Sequence, residues 1–218
     1  FLFCLFAMPH WRLGRPTCVG LLALPVIVGA ASPTLDAATK KTNCGGPLLR
    51  SSTPCLVEAL FPSPKDSPDD YRAWQLAQHG VGEAEPVDTK YAELPAPGLL
   101  ETLQAGPFAT APVGEEDVFV DLGSGGGKSV FAAFLGAEVG QAIGYEAVGT
   151  RHKFAIQAAA RLQELSGGAL AGTGDTFNEG SRRLMLRKSA LADADISEAT
   201  VILLLDPYFS DQLRYSLY

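Results

Sequence analysis

One run of residues, Asp117-Val-Phe-Val-Asp-Leu-Gly-Ser-Gly-Gly-Gly-Lys128, constrains this chain more than any other segment. An apolar stretch, Val118–Leu122, leads straight into Gly123, Gly125 and Gly127, and Lys128–Leu135 then reads as helix. Glycine is needed where backbone must turn tightly and approach a bound molecule with no Cβ in the way. Downstream, Ala142–Tyr145, Leu184–Leu186 and Val201–Leu205 read as further strands. Thr150 is placed to cap a helix whose Phe154, Ala158, Leu162 and Leu165 share one face, and Ser166–Glu179 reads as a glycine-rich loop. This alternation of strand and helix predicts a parallel sheet with both faces covered.

Spacing sorts the ligands such a loop can hold. A Walker loop needs glycine at 122 to pair with Gly127-Lys128-Ser129, and the chain has Leu122. A dinucleotide fingerprint needs a third glycine where Lys128 stands. The remaining pattern, Asp-x-Gly-x-Gly-x-Gly from Asp121, resembles motif I of class I S-adenosylmethionine-dependent methyltransferases. In that family the acid helps place the amino-acid end of the cofactor, and a second acid after strand two accepts from both ribose hydroxyls. Glu146, closing Ile143-Gly-Tyr-Glu146 and 19 residues after Gly127, stands where the second acid is expected.

Three segments narrow the resemblance. Asp88-Thr-Lys-Tyr91-Ala-Glu93-Leu94 precedes a helix at Pro97–Leu103, motif I reads Phe119-Val-Asp-Leu-Gly-Ser-Gly-Gly-Gly-Lys128, and Gly144-Tyr-Glu146 runs into Arg151-His-Lys-Phe-Ala155. Over roughly residues 86–215 these are similar to the Disruptor-of-telomeric-silencing family, the non-SET histone-lysine methyltransferases. The resemblance implies S-adenosyl-L-methionine as cofactor, Tyr91, Glu93 and Leu94 as its cover, and Phe119, Asp121, Gly123, Ser124, Gly125, Gly127 and Lys128 as its cradle. It further implies Glu146 on the ribose, a protein substrate such as nucleosomal histone, and a nuclear location. No metal is implied.

The chain departs from the family at three places. Ala92 replaces a glycine. The stretch Lys188-Ser189-Ala190-Leu191 stands where an acid meets the adenine amino group, leaving Ser189, or Asp193 nearby, for that contact. Asp206-Pro207-Tyr208-Phe209 replaces Asn-Asn-Phe and is closer to the Asp/Asn-Pro-Pro-Tyr motif of enzymes that methylate adenine or glutamine amides. Asp206 and Tyr208 are therefore the catalytic candidates. A carboxylate and a carbonyl aim the acceptor nitrogen, and the ring packs on it. A carboxylate stabilises an ammonium, so Asp206 suits an amide or exocyclic amine somewhat better than lysine. Histone lysine is the first reading. Nucleic-acid adenine, protein glutamine or a non-catalytic cofactor-binding module are the alternatives.

The fold expected is α/β, a Rossmann-like class I methyltransferase sheet truncated at the C-terminal side, with a small helical N-terminal extension. Only four strands precede the end of the sequence, which predicts an open edge on Val201–Leu205. The divisions expected are a signal, targeting or membrane-anchor-like segment (1–35), a linker (36–70), a helical lead-in with the cofactor-covering motif (71–110) and a partial methyltransferase domain (111–218). Helices are expected around Tyr71–His79 and Gly98–Leu103, and the Gly, Ser and Pro of 45–70 read as linker.

Charge supports the first division. Residues 1–44 hold Arg12, Arg15, Lys40 and Lys41 against Asp36, in a chain of net charge −7. From Met8, two arginines, the apolar run Thr17–Ala31 and the small residues Gly29-Ala30-Ala31-Ser32 follow the order of a secretory signal peptide. Such a head would meet a membrane or translocon and implies the secretory pathway or an organelle, the alternative to the nucleus. The acidic body argues for weak or no nucleic-acid binding. Its one basic cluster is Arg182, Arg183, Arg187 and Lys188. Cysteines 4, 18, 44 and 55 lack metal-ligand spacing. Cys44 and Cys55 can pair in an oxidising compartment or remain separate thiols.

Overall fold

A computed structural model describes residues 3–7, 32–42, 44, 49–63, 65, 67–79, 93–104 and 112–205. Tyr91, Asp206 and Tyr208 lie outside the described residues. Described in chain order are β1 (Phe3–Ala7), α1 (Pro33–Thr42), α2 (Leu49–Ala59), α3 (Pro68–Gln78), α4 (Ala96–Gln104), β2 (Val118–Leu122) and α5 (Lys128–Ala132). There follow β3 (Gln141–Glu146), α6 (Gly149–Leu165), β4 (Ala171–Thr173), β5 (Thr176–Glu179), β6 (Arg182–Lys188) and β7 (Val201–Leu205).

The strands form a sheet of order β1-β7-β2-β3-β6-β5-β4. Its centre, β7-β2-β3-β6, is parallel, as the short apolar runs joined by helices require. The register sets Asp121 opposite Gly144 and Leu122 opposite Tyr145, so β2 and β3 end side by side.

Three strands depart from the sequence expectation. Ser166–Glu179 is not all loop: β4 and β5 form a hairpin around Gly174 and Asp175, with Gly174 at φ 64°. A two-residue turn with a left-handed glycine matches the twist of the strands it joins. Nor is the β7 edge open, because β1 pairs antiparallel with it from Phe3↔Leu205 to Ala7↔Val201.

The stretch expected as linker is largely helical where it is described. Helix α1 spans the expected boundary at residue 35, and α2 forms despite Pro54 in its interior. The reason is tertiary. Leu35, Ala38, Leu56 and Val57 are fully buried, and burial of that kind outweighs local propensity. A Cys44–Cys55 disulfide, with Cα atoms 5.6 Å apart, ties α2 to the residues after α1. The helix expected at 128–135 extends as a wider π turn, Ala133–Ala137, where Gly136 lets Leu100 of α4 pack against it. Val148, not Thr150, stands at the N-cap position of α6, and its side chain makes no capping hydrogen bond.

The main core lies on one face of the sheet. Phe119, Ala142, Leu184, Leu186, Val201 and Leu203 point there and meet apolar residues from all six α-helices. On the other face Val120, Leu122, Tyr145, Ile202 and Leu204 meet Leu191, Ala194, Ile196 and Ala199. Among the described residues, α-helices therefore cover one face, not two.

Candidate functional site

The site is assembled where β2 and β3 end. Gly123, Gly125 and Gly127 have φ of 87°, 56° and 86°, a left-handed region costly to any residue with a Cβ. These glycines fold the chain back so that Gly123 and Ser124 both donate their N–H to the Tyr145 carbonyl, at 2.9 and 3.0 Å. Gly144 makes room for this on β3, since a Cβ there would lie 2.7 Å from Ser124 Oγ.

Glu146 locks the loop. Its Oε2 accepts from Gly125 N–H and its Oε1 from Val148 N–H, both at 2.7 Å. One carboxylate thus holds the glycine turn and the start of α6 together. Burial pushes the Glu146 pKa above the ordinary value, opposed by those backbone donors and by the charge of Arg151. Asp121, buried beside it and hydrogen-bonded to Ser129, is pushed up from 3.8 to about 7 by burial and then by Glu146. Two buried carboxylates in one corner favour a ligand that brings positive charge.

Lys128 closes the other side. Its Nζ lies 3.1 Å from both Glu58 of α2 and Glu93 ahead of α4. Burial pulls the ammonium down, but Glu93 and Glu58 outweigh it and hold the pKa above the ordinary lysine value. These three residues line a cavity of about 380 Å³ together with Phe61, Tyr71 and Trp74. Trp74 stacks on Phe61 with centroids 5.2 Å apart and reaches the loop, where any Cβ on Gly126 would overlap its ring.

The structure therefore brings together Asp121, Gly123, Ser124, Gly125, Gly127, Lys128, Glu146 and, across Lys128, Glu93. Ser189 stands at the rim, its N–H on the Glu146 carbonyl at 3.1 Å. Phe119 and Leu94 do not belong to the group. Both side chains are buried in the main core, and for Phe119 the period-two alternation of β2 dictates it. Asp193 is exposed in a short helical turn.

Sequence reasoning missed Glu58, Phe61, Trp74 and Arg151. Three of them come from the stretch expected as linker or from the helix after it. Arg151 sits in the first turns of α6 and donates to the Gln78 carbonyl through Nε at 3.1 Å and Nη2 at 2.5 Å. It thereby anchors the C-terminal end of α3, the helix that carries Trp74. The one available signal was Arg151 following Glu146 on the strand-to-helix turn.

The glycine cradle suits the implied cofactor on this chain's own chemistry. The turn carries no Cβ at Gly123, Gly125 and Gly127, the buried carboxylates complement an ammonium and a sulfonium, and the Lys128 ammonium complements a carboxylate. A mixed α/β sheet with a glycine loop and an acid at the ends of adjacent parallel strands is compatible with a Rossmann-like methyltransferase fold. The profile of the histone methylation protein DOT1 matches residues 90–218, and the chain belongs to that family. The family generally uses S-adenosylmethionine and has a nuclear or chromatin role. No curated protein matches the chain. Among the described residues no helix is long and apolar enough to cross a membrane.

Proposed function

We propose that the protein is an S-adenosylmethionine-dependent methyltransferase that acts on a protein amine, with histone lysine as the acceptor. The observation that carries this reading is the Gly125–Glu146 lock at the ends of β2 and β3, within a chain that belongs to the DOT1 family. The cofactor, when bound, supplies a methyl group activated by a sulfonium. The chain's part is binding and positioning. The spare lone pairs of Glu146 face the ribose diol, Asp121 takes the ligand's ammonium, and Lys128 takes its carboxylate. Ser189 serves the adenine edge, and Glu93 with Tyr91 covers the site.

At the acceptor end, Asp206 and the carbonyls of its turn direct the acceptor nitrogen, and Tyr208 packs on it. Methyl transfer needs an unprotonated nitrogen, and a free lysine with pKa near 10.4 is mostly protonated at neutral pH. Desolvation beside aromatic rings lowers that pKa, while a carboxylate raises it. The sequence Asp206-Pro207-Tyr208 thus favours a second reading, in which the acceptor is an amide or an exocyclic amine that carries no charge.

Two measurements separate the possibilities. Calorimetric titration with S-adenosylhomocysteine, on wild type and Glu146→Ala, tests the cofactor site, and equal binding by both removes the ribose assignment. Radiolabelled methyl transfer to histones, nucleosomes, glutamine-containing peptides and DNA then reads the acceptor. Label on histone lysine supports the first reading, and label on amide or adenine supports the second. Cofactor binding with no label on any of them leaves a non-catalytic binding module.

A further inference from the structure

Arg151 closes a ring of contacts around the cleft. Glu146 Oε1 accepts from the N–H of Val148, at the N-cap of α6, and Arg151 lies buried in the first turn of that helix. Its Nε and Nη2 both donate to the carbonyl of Gln78, the last residue of α3, at 3.1 and 2.5 Å. One turn earlier α3 carries Trp74, whose ring occupies the space that a Cβ on Gly126 would need. Gly126 adjoins Gly125, and the Gly125 N–H returns to Glu146 Oε2 at 2.7 Å. The path therefore leaves Glu146 along α6, crosses to α3, reaches the glycine turn and ends on the same carboxylate.

Helix α6 holds α3 at two places. Phe154 meets the Trp74 ring edge-on, with centroids 5.1 Å apart, and Arg151 takes the end of the helix. The carbonyls at a helix C-terminus need donors from outside the helix. A guanidinium offers two in a rigid fork, which fixes direction as well as distance.

Packing and an orphan carbonyl do not by themselves call for a charge. Burying a guanidinium is costly unless its charge is met, and the Gln78 carbonyl is neutral. The carboxylate on which that charge acts is Glu146. Burial raises the Glu146 pKa, and the Val148 donor and then the charge of Arg151 oppose the rise. One side chain thus touches the wall of the cleft mechanically and its buried acid electrostatically.

We propose that Arg151 is a positioning residue for the cofactor, setting the Glu146 carboxylate that receives the ribose hydroxyls and, through Gln78, holding Trp74 as a wall on the glycine turn. The inference rests on the reading of Glu146 as the ribose acceptor. It brings α3, which lies ahead of the family-matched residues 90–218, into the cofactor site.

The test is calorimetric titration of the full chain with S-adenosylhomocysteine and with its 2′-deoxy analogue, on wild type, Arg151→Lys and Arg151→Gln. Lysine keeps the charge, and glutamine keeps a donor for Gln78 without the charge. Wild type should prefer the hydroxylated ligand about tenfold, as a hydrogen bond to a charged acceptor implies. Arg151→Lys should retain most of that preference, and Arg151→Gln should reduce it to about twofold. A glutamine variant that weakens both ligands by one factor, or neither, overturns the proposal, because helix packing alone does not distinguish them. Wild type that binds neither ligand removes the cofactor reading itself, and wild type that binds both equally removes the ribose acceptor.

The wall is read without ligand, from Trp74 emission in a Trp11→Phe background. Both variants should shift it to longer wavelength, and an unshifted Arg151→Gln overturns the hold on α3. Where Arg151→Gln does not fold, Arg151→Lys decides alone. A retained ligand preference with shifted emission supports the proposal, and any other combination overturns it.

Discussion

Gly125 donates its N–H to Glu146 Oε2 at 2.7 Å, across 21 residues of chain. Through this bond, and its twin from Val148 to Oε1, the glycine loop, the end of β3 and the start of α6 move as one body. Removing the carboxylate strands two N–H groups in a buried place.

Glu146→Ala should therefore lower stability as well as cofactor binding. Each buried donor left without a partner costs about 1–3 kcal/mol. Glu146→Gln retains one good acceptor and should lose less than the alanine variant. Thermal melting with and without S-adenosylhomocysteine checks both. An alanine variant that melts like wild type contradicts the structural role.

Asp121 gives a pH dependence of defined sign. Its carboxyl titrates at 3.8 when unfolded and at about 7 in the fold, so between those values the folded state holds the extra proton. Stability from this group therefore falls as pH rises through that window. Asp121→Asn should raise the melting temperature of the ligand-free protein above pH 7 and flatten its decline between pH 3.8 and about 7. The same change should weaken binding of the cationic ligand, because the ionised carboxylate is what receives it. Melting curves and calorimetry across that range should thus move in opposite directions.

Much of this was legible before the coordinates. The parallel strands announced themselves because a strand buried on both faces must be a short apolar run, and β2 falls where Val118–Leu122 placed it. Glu146 was legible for the same reason, being an acid that ends such a run. The antiparallel strands were not. β4 and β5 hold one buried apolar side chain, Phe177, among glycines and polar residues that locally read as loop. Helices α1 and α2 were hidden by Pro54 and sparse apolar residues, and form because the core holds Leu35, Leu56 and Val57. With them went the wall of the site, for Glu58, Phe61 and Trp74 meet Lys128 and Gly126 only through tertiary packing. Phe119 was assigned to the cradle by resemblance alone, against the alternation that sends it to the core.

Gly126 is the position where a single methyl group should be felt. Its added Cβ would overlap Trp74 and come within 3.2 Å of Phe61 Cε1, in a packed aromatic cluster that also includes Phe154. Gly126→Ala should cost about 1–3 kcal/mol through overpacking and push the indole toward solvent. In a Trp11→Phe background the emission of Trp74 should shift to longer wavelength. Combined with Trp74→Leu, the glycine substitution should cost less than it does alone, and strict additivity would mean that the two positions are independent.

The Cys44–Cys55 bridge closes a short loop, its ends 11 positions apart in sequence. Closing a loop of this size in the unfolded chain is worth about 2–3 kcal/mol. Reduction, or Cys44→Ser with Cys55→Ser, should lower the melting temperature accordingly. The effect should reach the site, because Cys55 lies one helical turn before Glu58, which holds Lys128 at 3.1 Å. A loosened α2 gives up that ion pair first, so S-adenosylhomocysteine binding should become less sensitive to Glu58→Gln once the bridge is gone. Titrations of the four combinations, oxidised or serine-substituted and with or without Glu58→Gln, form a double-mutant cycle. Zero coupling would confine the disulfide to global stability and sever it from the cofactor cleft.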